Sequence, residues 1–83
     1  MHQSPTYEVL TRKVSLIKLN GNGKDKGENV IGCEYSPPLK GKPYSIYTGN
    51  GKVFKTSSLI DIRRTYTALL LRTKNSIYQI KYL

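Results

Sequence analysis

Cysteine and histidine are almost absent from this chain of 83 residues, which contains only Cys33 and His2. A single cysteine cannot form an intramolecular disulfide, so a disulfide-stapled secreted scaffold is excluded and a reducing compartment is indicated. The two residues are too few for a structural zinc site, and a catalytic triad would have to be built around His2 near the chain start. The sequence therefore predicts no metal, no other cofactor and no enzymatic activity.

Acidic residues are also scarce, because five Asp and Glu stand against 14 Lys and Arg, which gives a net charge of +9. Such an excess of one sign argues against cation binding and indicates a negatively charged partner. Nucleic acid, a small phosphate-bearing molecule and an acidic protein surface all satisfy this condition. The uncompensated cations lie from Lys40 onward, where Asp61 is the one carboxylate.

Long apolar runs and signal-like segments are missing. The longest apolar run is Ala68–Leu71, a small fraction of the roughly 20 residues that a membrane helix needs. Residues 1–7 carry neither a basic start nor an apolar stretch, so they do not read as a signal peptide. The sequence predicts a soluble cytoplasmic protein without membrane contact.

Helix formers are few, with one Ala, one Met and three Glu, whereas 26 of the 83 residues are Ile, Val, Thr, Tyr or Phe. These β-branched and aromatic types favour strands, and turn residues recur at intervals of about ten positions. We expect an all-β fold with one small domain over residues 1–83. Its six to seven short antiparallel strands would form a curled sheet or an SH3-like or OB-like barrel.

Alternation and turn residues locate the strands of this domain. Residues 11–19 favour a strand, although Tyr7, Leu10, Val14 and Ile17 also fall at helical spacing. Residues 1–10 are expected to be loose, and residues 20–29, which hold no apolar side chain, to form a flexible polar loop. Further strands are expected over residues 30–35, 44–48, 53–56, 59–63, 67–73 and 76–83.

The hairpin of residues 44–55 is the first candidate for phosphate binding. Gly49 and Gly51 free backbone N–H groups in its turn, and a concave set of such groups binds anions. Four lysines lie in or just before it: Lys40, Lys42, Lys52 and Lys55. The alternative is an ordinary hairpin turn with solvated lysines.

Three arginines form the second candidate. If the strands on either side of Thr65-Tyr66 pair, Arg63 or Arg64 comes close to Arg72, and Lys74 follows in the next turn. Like charges opposite each other cost stability, so a cluster of this kind suits an anion, and guanidinium groups match phosphate well. The alternative is that nearby carboxylates such as Asp61 neutralise them, or that they extend into water.

Aromatic and small polar residues complete the expected site. Tyrosines interleaved with lysines suit base stacking, which assigns that role to Tyr44, Tyr47 and Tyr78. Packing in a small core is the alternative, and Tyr44 and Tyr47 lie on opposite faces of a regular strand. Hydroxyl and amide groups at strand ends would orient the ligand, unless they only form turns: Thr56, Ser57 and Asn75.

The half of the chain over residues 41–82 shows a recurring order of features. A start at Gly41-Lys42-Pro43-Tyr44 leads to a glycine hairpin, then to Thr56-Ser57-Ser58-Leu59-Ile60 and to Thr73-Lys74-Asn75-Ser76-Ile77-Tyr78. This order resembles short β proteins of bacteriophages and mobile elements that carry a TS-x-[VI] … T-x-NS-x-Y pattern. The resemblance implies a small intracellular β protein that binds host factors, nucleic acid or the nucleotide signals of bacterial immunity. It implies no particular functional residue.

Three functions follow as hypotheses. The first is a non-catalytic basic module that binds a phosphate-bearing nucleotide ligand, above all DNA or RNA. The second is a phage anti-defence sponge, a homo-oligomer that sequesters a cyclic or modified nucleotide at a subunit interface. The third is a phage inhibitor of a host defence protein.

Overall fold

All regular elements among the described residues are strands. The computed structural model describes residues 12–21, 27 and 29–83, so the expected loose segment 1–10 and residues 22–26 and 28 of the expected loop lie outside it. Nowhere in the described ranges is there a helix with the length and apolar character needed to cross a membrane. The strands are β1 (Arg12–Gly21), β2 (Asn29–Glu34), β3 (Pro43–Gly49), β4 (Lys52–Ser58), β5 (Asp61–Arg64), β6 (Leu69–Arg72) and β7 (Ser76–Tyr82).

The seven strands form one sheet in the order β4-β3-β2-β1-β7-β6-β5, and every neighbouring pair is antiparallel. The two edge strands follow each other along the chain with only Leu59 and Ile60 between them. Leu59 donates its N–H to the Lys42 carbonyl at 3.0 Å, whereas Ile60 donates to the Arg72 carbonyl at 2.7 Å. Adjacent residues thus bond to opposite ends of the strand order, so the sheet curls on itself and the all-β, curled-sheet prediction is confirmed.

The concave face of the curled sheet carries the core. Alternate residues of the central strands β1 and β7 are buried, as period-two alternation requires, and so are those of β3 and β6. The nine buried apolar residues are Val14, Leu16, Tyr44, Ile46, Leu59, Leu69, Leu71, Tyr78 and Ile80. Each such side chain contributes about 1.5–3 kcal/mol through its removal from water.

Residues 12–21 are a strand, so of the two conformations that the sequence allowed for this segment, the favoured one is confirmed. β1 continues through Asn20 and Gly21, two residues into the stretch for which a loop is expected, because both pair with β7. A Cβ atom on Gly21, whose φ is +128°, would lie 2.5 Å from the Asn75 carbonyl oxygen. Only glycine lets β1 approach the β6–β7 turn this closely.

Candidate anion-binding sites

Positive charge covers the described surface almost without compensation. Eleven lysines and arginines among these residues are exposed, whereas Glu34 is buried and Asp61 is half-buried. The exposed cations are Arg12, Lys13, Lys40, Lys42, Lys52, Lys55, Arg63, Arg64, Arg72, Lys74 and Lys81. An electrostatic field of one sign attracts an anionic partner over the distance of the Debye length.

The structure divides the predicted cations between the two edges of the sheet. Lys40 and Lys42 lie in the β2–β3 connection, and Lys52 and Lys55 lie on edge strand β4. On the other side, β5 carries Arg63 and Arg64, β6 ends at Arg72, and Lys74 lies in the β6–β7 turn. The turn Gly49-Asn50-Gly51 has φ values of 102°, 55° and 75°, which confirms the predicted hairpin.

Arg63 and Arg72 come together on the convex face of the sheet. Arg63 lies opposite Leu70. Arg72, two residues further along β6, is therefore its diagonal neighbour, and diagonal neighbours have backbones roughly 7–8 Å apart. Asp61, the carboxylate that the sequence offered as a neutralising partner, lies directly opposite Arg72 in the register. The predicted arginine cluster is therefore formed by Arg63 and not by Arg64.

Two shallow cavities adjoin this pair and share Arg72 and Ile77. One of about 160 Å³ is also lined by Asp61, Arg63 and Leu70. The other, of about 230 Å³, is lined by Asn20 and by the β6–β7 turn with Lys74 and Asn75. We call these two cavities together the outer groove; it holds four residues of the predicted site, Arg63, Arg72, Lys74 and Asn75.

Arg64 lies outside the outer groove, at a different cavity. It shares one face of β5 with Ile62, and both line a cavity of about 340 Å³ at one end of the curled sheet. We call this the end cavity; its other lining residues are Arg12, Pro37, Pro38, Leu69 and Tyr82. The guanidinium carbon of Arg12 lies 4.2 Å from the centre of the Tyr82 ring, a cation–π contact that orients this arginine.

A buried carboxylate lies behind the end cavity. Glu34 is 2% exposed, and one of its oxygens, Oε1, accepts hydrogen bonds from the Tyr44 hydroxyl at 2.8 Å and the Tyr82 hydroxyl at 2.9 Å. The three residues come from β2, β3 and β7, so the network connects strands that do not all neighbour one another. Hydrogen bonds to a carboxylate are among the stronger ones in proteins and help to offset its desolvation.

Burial and Glu34 together alter the acidity of both hydroxyls. Burial first, then the hydrogen bond to Glu34 and its negative charge, raise the pKa of Tyr82 from 10.0 to about 12, although Arg12 and Arg64 act in the opposite direction. The same causes, again with burial first, raise the pKa of Tyr44 further. Above pH 10 the unfolded chain loses tyrosine protons that the folded chain retains, so the folded state loses stability as pH rises.

We therefore expect the free energy of unfolding to fall as pH rises from 10 to about 12. Tyr82→Phe removes one of the two responsible hydroxyls, so the variant should be less stable at neutral pH but lose stability less steeply in this window. Urea unfolding followed at several pH values measures both curves. Parallel curves for the wild-type protein and the variant would contradict the assignment of this pH dependence to Tyr82.

Two of the three tyrosines expected to stack on bases are core residues. Tyr44 is 1% and Tyr78 7% exposed, and the Tyr78 ring packs edge-on against Phe54 at 6.0 Å between centroids. Neither can lie under a base, so core packing, the alternative reading, holds for both. Tyr47 faces the opposite side of β3 from Tyr44, as expected; it is exposed, and its hydroxyl accepts the Gly51 N–H at 3.3 Å.

The predicted polar residues are distributed between core, surface and turn. Thr56 is buried and its hydroxyl accepts the Tyr44 N–H at 3.0 Å, so it holds β3 and β4 together and is not available to a ligand. Ser57 is exposed on β4. Asn75 is exposed in the β6–β7 turn, which Thr73 closes through its bonds to Ser76.

Sequence reasoning singled out Arg64 but missed the other residues of the end cavity. Arg12 begins β1 on the face of Val14 and Leu16, and Tyr82 ends β7 on the face of Tyr78 and Ile80. Alternation along each strand placed them on the inner face. Nothing in the sequence predicted that β1 and β7 would be neighbours, which is what brings Arg12 to Tyr82.

The chain matches no family model, no curated protein and no solved structure. Its geometry and charge are therefore the grounds on which a function can be proposed.

Proposed function

We propose that this protein is a non-catalytic module that binds nucleic acid. One observation supports the proposal. Among the described residues eleven lysines and arginines are exposed, whereas Glu34 is buried and Asp61 is half-buried. A strand of nucleic acid presents phosphates at regular intervals, and their contact with many cations releases condensed counterions. No small anion could use so many separated charges at once.

The outer groove is the proposed contact surface. Arg63, Arg72 and Lys74 supply three cations around two adjoining depressions, and Asn75 adds amide donors and an acceptor at the rim. Leu70 and Ile77 form an apolar floor between the charges. This combination fits a phosphate backbone whose sugars lie against the floor, so that binding depends little on the base sequence.

Salt dependence tests the proposal. Three phosphate contacts on a single strand predict a slope of about −2 in a plot of log affinity against log salt, and so about 20-fold weaker binding at about 200 mM than at about 50 mM salt. Fluorescence anisotropy with a labelled single strand of about 12 nucleotides measures this slope. An affinity that stays flat over this range, or the absence of binding, would exclude the proposal.

The other two hypotheses remain predictions that the same preparation separates. A sponge would be a homo-oligomer that retains a small nucleotide through purification, and native mass spectrometry detects the assembly and the ligand together. An inhibitor of a host protein would bind no oligonucleotide at either salt concentration. The resemblance to short phage proteins likewise stays a prediction, since no match to a known family bears on it.

A further inference from the structure

The end cavity lies apart from the outer groove and has a different character. Its volume of about 340 Å³ is near the lower end of the roughly 300–1,000 Å³ that ligand pockets occupy. A second cavity of about 190 Å³ adjoins it and shares Arg64, Leu69 and Tyr82. The β5–β6 turn, with Tyr66 at its tip, lines this second cavity. Together they offer one compact space beside one smaller recess.

Two guanidinium groups define the charge of the end cavity. Arg12 and Arg64 are both exposed, and no carboxylate in the described part of the chain forms an ion pair with either. Glu34 lies nearby, opposite Arg12 in the β1–β2 register, but its Oε1 accepts both tyrosine hydroxyls and the residue is sealed from solvent. The arginines are therefore available to an anion that enters from outside, and two guanidinium forks suit a phosphate.

The rest of the lining is apolar or aromatic. Its apolar lining comes from Pro37, Pro38, Ile62 and Leu69. Tyr66 is fully exposed, with a relative exposure of 102%, and lines the adjoining recess. An exposed ring next to an arginine-lined cavity is suited to stack against a planar group.

We infer that the end cavity binds a single nucleotide unit, with its phosphate held by Arg12 and Arg64 and its base against Tyr66. The unit is either a free mononucleotide or the 5′-phosphorylated end of a strand. The two arginines and the exposed ring carry this inference, while the choice of a nucleotide over another organic phosphate rests on the proposed function.

Isothermal titration of the full chain with AMP tests the inference, with adenosine and inorganic phosphate as partial probes. AMP should bind at least tenfold more tightly than either part, because the site holds both ends of the molecule. Arg64→Ala and Tyr66→Ala should each weaken AMP binding at least fivefold. The double variant Lys13→Ala/Lys81→Ala, which removes two exposed cations outside the cavity, should leave it unchanged.

A pair of oligonucleotides that differ only in the 5′-phosphate separates the two sources of the ligand. If the strand end occupies the site, the phosphorylated strand binds more tightly and Arg64→Ala abolishes the difference. If a free nucleotide occupies the site, Arg64→Ala weakens the binding of AMP and leaves the affinity for both strands unchanged. Equal affinity for AMP and adenosine, together with equal affinity for the two strands, would overturn the inference. Arg72→Ala, in the outer groove, should weaken strand binding but not AMP binding, so the two proposals fail separately.

Discussion

Replacing Arg63, Arg72 and Lys74 together by alanine is expected to weaken the binding of a single-stranded oligonucleotide roughly 100-fold at low salt. Charge-assisted contacts to phosphate contribute on the order of 1 kcal/mol each, and each 1.4 kcal/mol changes affinity tenfold. The slope of log affinity against log salt should also become shallower by about 2, because three fewer phosphates are neutralised. The side chains are exposed, so the melting temperature should change little.

A matched variant distinguishes a local site from general attraction. The triple variant Lys40→Ala/Lys42→Ala/Lys52→Ala also lowers the net charge of +9 by three. Its three lysines lie in the β2–β3 connection and at the start of β4. We expect this triple variant to weaken binding by less than about tenfold, through the long-range field alone. Equal losses in the two triple variants would show that binding is spread over the whole surface and would remove the outer groove from the proposal.

Glu34→Ala is expected to lower the free energy of unfolding by about 3 kcal/mol or more. The change leaves two tyrosine hydroxyls without their acceptor and opens space between β2, β3 and β7. Each unsatisfied buried polar group costs about 1–3 kcal/mol, and the deleted side chain volume adds to this. For a domain of this length the loss corresponds to a fall of about 15 °C in melting temperature, which calorimetry or circular dichroism measures.

Glu34→Gln is the control for this prediction. The amide oxygen still accepts a hydrogen bond and the side chain has nearly the same shape, so the loss of stability should be smaller than in Glu34→Ala. Tyr44→Phe removes a single donor and should fall between wild type and Glu34→Ala. If alanine at position 34 is as stable as glutamine, the Tyr44–Glu34–Tyr82 network does not stabilise the fold, as is known for some buried ionic groups.

Strand content could be predicted from local sequence because its causes are local. Alternation in Tyr78, Ile80 and Tyr82, and the positive φ values that Asn50 and Gly51 tolerate, depend on neighbours a few positions away. The extension of β1 to Gly21 could not be predicted from local sequence, because it depends on the pairing of Gly21 with Ser76 of β7. Gly32 is a second example: a Cβ atom there would lie 2.5 Å from the Tyr47 carbonyl oxygen, a contact that only the packed sheet creates.

The spatial grouping of residues could be predicted where face and strand pairing followed from one hairpin. Arg63 and Arg72 meet because a short turn joins their strands, and Lys74 and Asn75 follow in the next turn. The types of Tyr44, Tyr78 and Thr56 suit both a core and a binding surface, so the sequence cannot separate these two roles. Whether each of them lies in the core or on the surface depends on which face of the sheet is concave.

The β class, the turns and the large excess of positive charge could be predicted, because each follows from composition or from residues close in the chain. The connection of the two ends of the strand order by Leu59 and Ile60 is a property of the folded chain. That single connection curls the sheet, encloses Tyr44 and Glu34, and places Arg64 beside Arg12 while Arg63 remains on the convex face. Neighbouring residues of one strand point to opposite faces, so curvature sends two adjacent arginines to different sites.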